Sequence, residues 1–285
     1  MAPVTEAQVA AIGTFRARDG RDLPVRHYPA QSDITLLLIH GSGSHSHYLG
    51  PLASRLSAAG AAQVYTPDLR GHGQAPERRG DVDYIDQLED DLADLAEHVR
   101  TSDPDARIVV GGHSSGGGLA LRFAGSPHAQ LADGYLLLAP YLGHDAPTTR
   151  PNAGGWARPR LPVIVGLSIL NGFGITGLNG ATAITFDMPE VARDGTETLA
   201  YSFRLNTGYA PRDYRKDLAA VKVPLLGLIG AEDEAFFPEK LEPTLAEYSD
   251  ARVELIPGAA HLDLPSAPAT AERIAAWLAE SFQDS

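Results

Sequence analysis

Residues 107–124 read RIVVGGHSSGGGLALRFA. A strand-like run, a serine bracketed by glycines and a helix-like run follow one another directly, which predicts a strand up to Gly112, a sharp turn at Ser114 and a helix from Ser115. A serine on such a turn is pushed into a strained backbone conformation, and only glycines on either side let strand and helix pass that closely. Its hydroxyl then stands at the sheet edge. The new helix points its free N–H groups and positive dipole end at developing negative charge. Gly-x-Ser-x-Gly also arises by chance in structural turns; here strand, elbow and helix agree, so Ser114 is read as a nucleophile.

The rest of the chain alternates apolar runs, polar or Gly-rich turns and amphipathic stretches, as a mainly parallel sheet covered by helices does. Further runs stand at 34–40, 63–67, 134–140, 224–230 and 252–257. They are nearly unbroken in apolar residues, as expected of strands buried on both faces. Before them, 11–18 and 23–28 flank Asp19-Gly20, which predicts an antiparallel hairpin whose two central turn residues take positive φ. Helices are expected at 48–59, 84–100, 115–124, 238–248 and 268–282. In the second of these, Ile85, Leu88, Leu92, Leu95 and Val99 share one face. Its acids Glu89, Asp90, Asp91, Asp94 and Glu97 are read as a solvated outer face rather than a metal site.

The alternation breaks once, between residues 141 and 220. That stretch is rich in Gly and Pro, too long for a plain loop and too irregular for more sheet. It is read as an inserted cap, so the chain divides into a core of 1–140 and 221–285 and a cap of 141–220. Within it, 161–186 carries no charge, with Arg158 and Arg160 before it and Asp187 after. This layout can mark a membrane span. Pro162, Gly166, Gly172, Gly174, Gly177 and Gly180 interrupt it, so a buried or substrate-facing lid is expected and no transmembrane segment is.

Composition narrows the partners. The 285 residues carry a formal net charge of −13 and no cysteine. The charge would repel phosphate backbones and anionic lipid at long range, so no nucleic-acid partner is expected. The missing thiols exclude disulfides, thiolate metal sites and cysteine nucleophiles. Residues 1–8 lack the basic start and apolar run of a secretion signal, which sets the expectation of a cytoplasmic protein.

A serine hydroxyl needs a base to remove its proton and a carboxylate to orient that base. Glu232, Asp233 and Glu234 follow the run at 224–230, where catalytic loops leave a parallel sheet. His261 follows Gly258-Ala259-Ala260 on a turn after 252–257. The order serine, acid, histidine is the one such a sheet requires. An oxyanion hole needs two backbone N–H donors. Ser115 N–H supplies one, and Ser42 N–H, in Ile39-His40-Gly41-Ser42-Gly43 at the end of an earlier strand, supplies the other. His40 is expected to buttress that loop, His113 to face sideways from the elbow and His72 to be structural. His45 and His47 alternate as metal ligands can, but lack acidic partners nearby, so no metal is expected.

Together, His40-Gly41, Pro67-Asp68-Leu69-Arg70-Gly71-His72-Gly73, the elbow at Ser114, Gly230-Ala231-Glu232-Asp233 and Pro257-Gly258-Ala259-Ala260-His261 resemble the α/β-hydrolase family. Within it they are similar to the branch of monoglyceride lipases, lysophospholipases and serine aminopeptidase-like hydrolases. The resemblance spans both halves of the core and says little about 141–220. It implies an α/β-hydrolase fold, a mainly parallel eight-stranded sheet flanked by helices, with a cap inserted between the sixth and seventh strands. It also singles out Asp233, third after Gly230, among the three acids. The activity implied is that of a cofactor-free serine hydrolase acting on small apolar carboxylic esters, as a carboxylesterase or monoacylglycerol lipase does. A lactonase or thioesterase would use the same residues.

Two readings of other classes compete. Gly172-Phe173-Gly174-Ile175-Thr176-Gly177 fits the dinucleotide fingerprint of an oxidoreductase, with Asp194 some way beyond; the residues after Gly177 make a poor helix start. A non-catalytic binding protein on this fold would be expected to have lost part of the catalytic set, and every part is present.

Overall fold

The computed structural model describes residues 11–151, 155–188, 190 and 193–282; the leader expectation for 1–8 lies outside them. The chain opens with β1 (Ala11–Arg16), β2 (Asp22–Tyr28) and β3 (Ile34–Ile39), followed by α1 (Gly50–Ala58), β4 (Gln63–Pro67) and α2 (Gln87–Ser102). Then come β5 (Arg107–His113), α3 (Ser115–Ala124) and β6 (Gly134–Leu138). An inserted stretch holds β7 (Ala157–Pro159), α4 (Leu161–Gly172), β8 (Thr182–Phe186), β9 (Ala200–Ser202), α5 (Phe203–Gly208) and α6 (Tyr214–Ala220). The chain ends with β10 (Leu225–Gly230), α7 (Pro238–Ala246), β11 (Arg252–Ile256) and α8 (Pro268–Ser281).

Eight strands form one sheet in the order β1-β2-β4-β3-β5-β6-β10-β11. β2 pairs antiparallel with β1 and β4, and every other pairing is parallel. Helices flank it, α1 against α8 and α2 against α3. This is the α/β-hydrolase fold. The central strands β3, β6 and β10 are buried at every residue, the reason their sequences read as apolar runs. β11 lies at the edge and keeps only Ile256 fully buried, so the expectation of burial on both faces fails there.

Two further local expectations need correcting. In the first hairpin only Gly20 takes positive φ (84°). Gly20 N–H donates to Ala17 C=O and Ala17 N–H to Arg21 C=O, both at 2.8 Å. The connection is therefore a three-residue-type turn with one left-handed glycine rather than a two-residue primed turn. The acids of α2 are not a solvated face. Glu89, Asp91 and Asp94 are buried because α2 is also covered by α3 and by the opening hairpin, which bring arginines to it. Asp91 takes two bonds from Arg70, at 2.7 and 2.8 Å, and Asp94 takes Arg18 N–H at 2.7 Å. Glu89 pairs with Arg122 and Arg212, and of the five acids only Glu97 is exposed.

The insertion is more regular than its sequence suggests. β7, β8 and β9 make a separate antiparallel sheet, built from strands too short to show an alternating pattern. The uncharged segment is broken at Gly174, whose φ is +75°, so α4 has 12 residues. Among the described residues no helix is long and apolar enough to cross a membrane. On α4 and just past it, Leu161, Val165, Ile169 and Phe173 form a stripe that is more than half exposed.

Candidate active site

The elbow is built as its glycines require. β5 ends at His113, Ser114 takes φ 57° and ψ −121°, and α3 starts at Ser115. A Cβ on Gly112 would overlap the Gly116 carbonyl, and one on Gly116 would overlap the carbonyls of Ile39 and His40. Neither position admits a side chain. Ser114 N–H is tied to Leu138 C=O at 2.9 Å and Ser114 C=O receives Tyr141 N–H at 3.0 Å, so the strained residue is held from both sides.

The structure brings the predicted acid and base to this serine. Asp233 follows β10, and its N–H turns back to Gly230 C=O, which buries its carboxylate while Glu232 and Glu234 stay exposed. Asp233 Oδ1 accepts Ala235 N–H at 2.8 Å and Phe236 N–H at 2.7 Å. Asp233 Oδ2 lies 2.8 Å from His261 Nδ1, and His261 Nε2 lies 3.1 Å from Ser114 Oγ. The carboxylate can only accept, so Nδ1 carries the ring proton and a bare Nε2 faces the hydroxyl. Gly230 permits this approach of two loops, since a Cβ there would overlap Ala259 C=O.

Three further groups hold His261; the sequence reading weighed Glu234 only as a rival acid, expected His113 to face sideways and passed over Tyr48. Glu234 Oε2 accepts His261 N–H at 3.0 Å. The other two form a chain of defined direction. Gly41 N–H donates to the Tyr48 hydroxyl at 2.7 Å, so that hydroxyl gives its proton to His113 Nδ1 at 2.9 Å. His113 Nε2–H is then the donor to His261 C=O at 3.1 Å. Burial pushes His113 well below the ordinary histidine range, which keeps it neutral. His113 is therefore engaged in the site rather than facing aside.

The loop carrying Ser42 lies against the elbow, close enough that a Cβ on Gly41 would stand 3.2 Å from Ser114 Cβ. The N–H groups on either side of Ser42 are taken, Gly41 by Tyr48 and Gly43 by Tyr201, each at 2.7 Å. Ser115 is the first residue of α3 and its N–H has no intrahelical partner. The hydroxyls of Ser42 and Ser115 meet at 2.6 Å. His40 is fully buried and supports the loop: its Nε2 accepts Leu69 N–H at 3.2 Å and its Nδ1 faces Gly41 C=O at 2.9 Å. Tyr209 donates to His40 C=O.

Three more histidines and the Gly-rich run at 172–177 make no contact with the Ser114, His261 or Asp233 side chains. His72 is buried between Arg70 C=O and the Tyr201 hydroxyl. His45 and His47 stack on each other with centroids 6.0 Å apart. Among the described residues no group of three or more His, Asp or Glu side chains is arranged to hold a metal. The fingerprint at 172–177 begins at the last residue of a helix, α4, rather than after a strand, so it is not the first turn of a strand-helix-strand nucleotide site.

A family model described as serine aminopeptidase, S33, matches residues 30–264. An uncharacterized protein of Mycobacterium tuberculosis is 25% identical over 261 residues, covering 84% of this chain and 73% of that protein. A monoacylglycerol lipase of Mycolicibacterium smegmatis is 25% identical over 213 residues, covering 70% and 69%. Among solved structures, the Paleococcus ferrophilus monoacylglycerol lipase superposes with a TM-score of 0.71 at 21% identity, covering 92% of this chain and 100% of that one.

Proposed function

Because the chain belongs to the serine aminopeptidase S33 family of α/β hydrolases, we propose that it hydrolyses carboxylic esters through an acyl-enzyme on Ser114. The observation that carries this reading is the directed relay from Asp233 through His261 to Ser114, with contacts of 2.8 and 3.1 Å on a serine at φ 57°. His261 takes the hydroxyl proton as Ser114 Oγ attacks the ester carbonyl. Negative charge on the carbonyl oxygen is met by the N–H groups of Ser42 and Ser115. His261 then gives the proton to the departing alcohol, and a water repeats the two steps to release the acid. Asp233 holds the ring tautomer and stabilises the imidazolium.

The substrate proposed is a small apolar ester of the carboxylesterase or monoacylglycerol type, with 141–220 as the cap over the site. The uncharged run at 161–186 and the monoacylglycerol lipases among its relatives support this, and the net charge of −13 disfavours polyanionic substrates. A fluorophosphonate probe followed by peptide mapping tests the nucleophile: a Ser114 adduct is expected, and labelling elsewhere or nowhere overturns the assignment. Turnover of nitrophenyl esters of increasing chain length, with Ser114→Ala as the control, tests the substrate class. No turnover by the intact protein would favour a binding role.

A further inference from the structure

One strand of the insertion is bonded into the loop that carries Ser42. Tyr201, on β9, is buried and its hydroxyl accepts Gly43 N–H at 2.7 Å. Thr198, just before β9, donates its N–H to Gly43 C=O at 3.0 Å. Both peptide groups of Gly43 are thus satisfied by the insertion. Gly43 itself sits at φ +75°, a conformation that sets the direction of the peptide chain leaving Ser42.

The proton count gives the contact a fixed sense. His72 Nδ1 faces Arg70 C=O at 3.0 Å, an acceptor only, so Nδ1 bears the hydrogen and Nε2 is bare. The Tyr201 hydroxyl, 2.7 Å from Nε2, donates to it and keeps its lone pairs for Gly43 N–H. Burial drives His72 well below and Tyr201 well above their ordinary values, so both remain neutral and the sense holds across ordinary pH. On the other side of Ser42, Tyr48 takes Gly41 N–H in the same way. Ser42 is therefore gripped between a tyrosine from the core and a tyrosine from the insertion.

We propose that Tyr201, oriented by His72, is a positioning residue of the oxyanion hole, so that the insertion contributes to the chemical step as well as to substrate access. This rests on the serine-hydrolase reading above. Removing a positioned oxyanion donor outright costs about 10²–10³ in kcat. Tyr201 acts through Ser42, so Tyr201→Phe is expected to lower kcat by about ten- to a hundredfold with KM within threefold.

The test measures kcat, KM and the affinity of an alkyl boronic acid, which adds to the serine and places an oxygen in the oxyanion hole. All values are counted per site titrated with fluorophosphonate, so that misfolded protein drops out. Tyr201→Phe should weaken boronate binding by the same factor as kcat/KM, a loss that a purely structural role would not produce per titrated site. His72→Leu, which removes the acceptor together with the bond to Arg70 C=O, is the second variant and should shift both quantities in the same direction by a smaller factor; His72→Gln, which restores an acceptor, should recover most of the loss. Tyr201→Phe or His72→Leu with kcat and boronate affinity within twofold of the natural protein overturns the proposal. A natural protein that hydrolyses no ester and leaves Ser114 unlabelled overturns the serine-hydrolase reading and this one with it, a result distinct from active, labelled protein whose variants are unchanged.

Discussion

Asp233→Asn exchanges one carboxylate oxygen for an amino group, and the surroundings decide which one. Oδ1 accepts the N–H groups of Ala235 and Phe236 at 2.8 and 2.7 Å, so the amide must keep its oxygen there. Its NH2 is then turned to His261 Nδ1, where an oxygen now lies at 2.8 Å. Nδ1 has to accept, the ring proton moves to Nε2, and a protonated Nε2 faces Ser114 Oγ at 3.1 Å. Such a ring cannot take the serine proton. The same exchange in a chymotrypsin-type triad lowers kcat about 10⁴-fold, equivalent to ~5 kcal/mol of transition-state stabilisation, and a loss of about 10³–10⁴ is expected here. The assay is hydrolysis of a short nitrophenyl ester alongside the rate of fluorophosphonate labelling, with thermal melting of the same samples. Melting should be close to that of the natural protein, because both N–H groups keep an acceptor. Asp233→Ala instead strands them and should melt lower, at about 1–3 kcal/mol for each unsatisfied group. An Asp233→Asn protein that retains more than a tenth of the original kcat would refute the tautomer argument.

The strain at the elbow predicts that Ser114→Gly, while inactive, is more stable to urea by about 1–3 kcal/mol, since glycine adopts φ 57° without a Cβ penalty; an unchanged midpoint would mean the turn stores no strain. Arg122→Met removes a partner from buried Glu89, and a loss of about 3 kcal/mol is expected in the same assay; a loss below about 1 kcal/mol would show that Arg212 suffices. Acid should destabilise the fold before the carboxylates titrate. Burial holds His40 down to about 4 against an ordinary 6.5, and it lowers His72 and His113 in the same direction. The unfolded chain binds these protons more readily, so stability is full above about pH 6.5 and falls toward pH 4, by ~3 kcal/mol for His40 alone. Equal urea midpoints at pH 7.5 and 5 would contradict this.

The strands were legible because β3, β6 and β10 are buried at every residue and β5 at every residue but Arg107, so their residues are nearly all apolar. The elbow was legible because Gly112 and Gly116 admit no side chain. The acids of α2 were misread for a reason periodicity cannot reach: a hydrophobic stripe identifies one buried face but not what covers the other. Arg18, Arg70, Arg122 and Arg212 arrive from distant parts of the chain. Residues alone left Glu232, Asp233 and Glu234 open, and the backbone turn from Asp233 N–H to Gly230 C=O is what separates them in space. Tyr48 and Tyr201 carry no motif. Their signal would have been an accounting of partners for the N–H groups of Gly41 and Gly43, which needs to know that those peptides are buried.

In the sheet β6 and β10 are neighbours, with Tyr135 opposite Leu225, although the whole insertion separates them along the chain. Ser42 and Ser114 follow strands made before that gap, and Asp233 and His261 follow strands made after it. During synthesis, at about 5–20 residues per second, the proposed nucleophile is made about 7–30 s ahead of the proposed base. Closing the gap is an entropic cost that grows only slowly with its length, but it must precede any contact between β10 and the rest of the sheet. On the proposed mechanism, a nascent or truncated chain carries a serine without a proton acceptor, and hydrolysis would begin only when the last two strands dock.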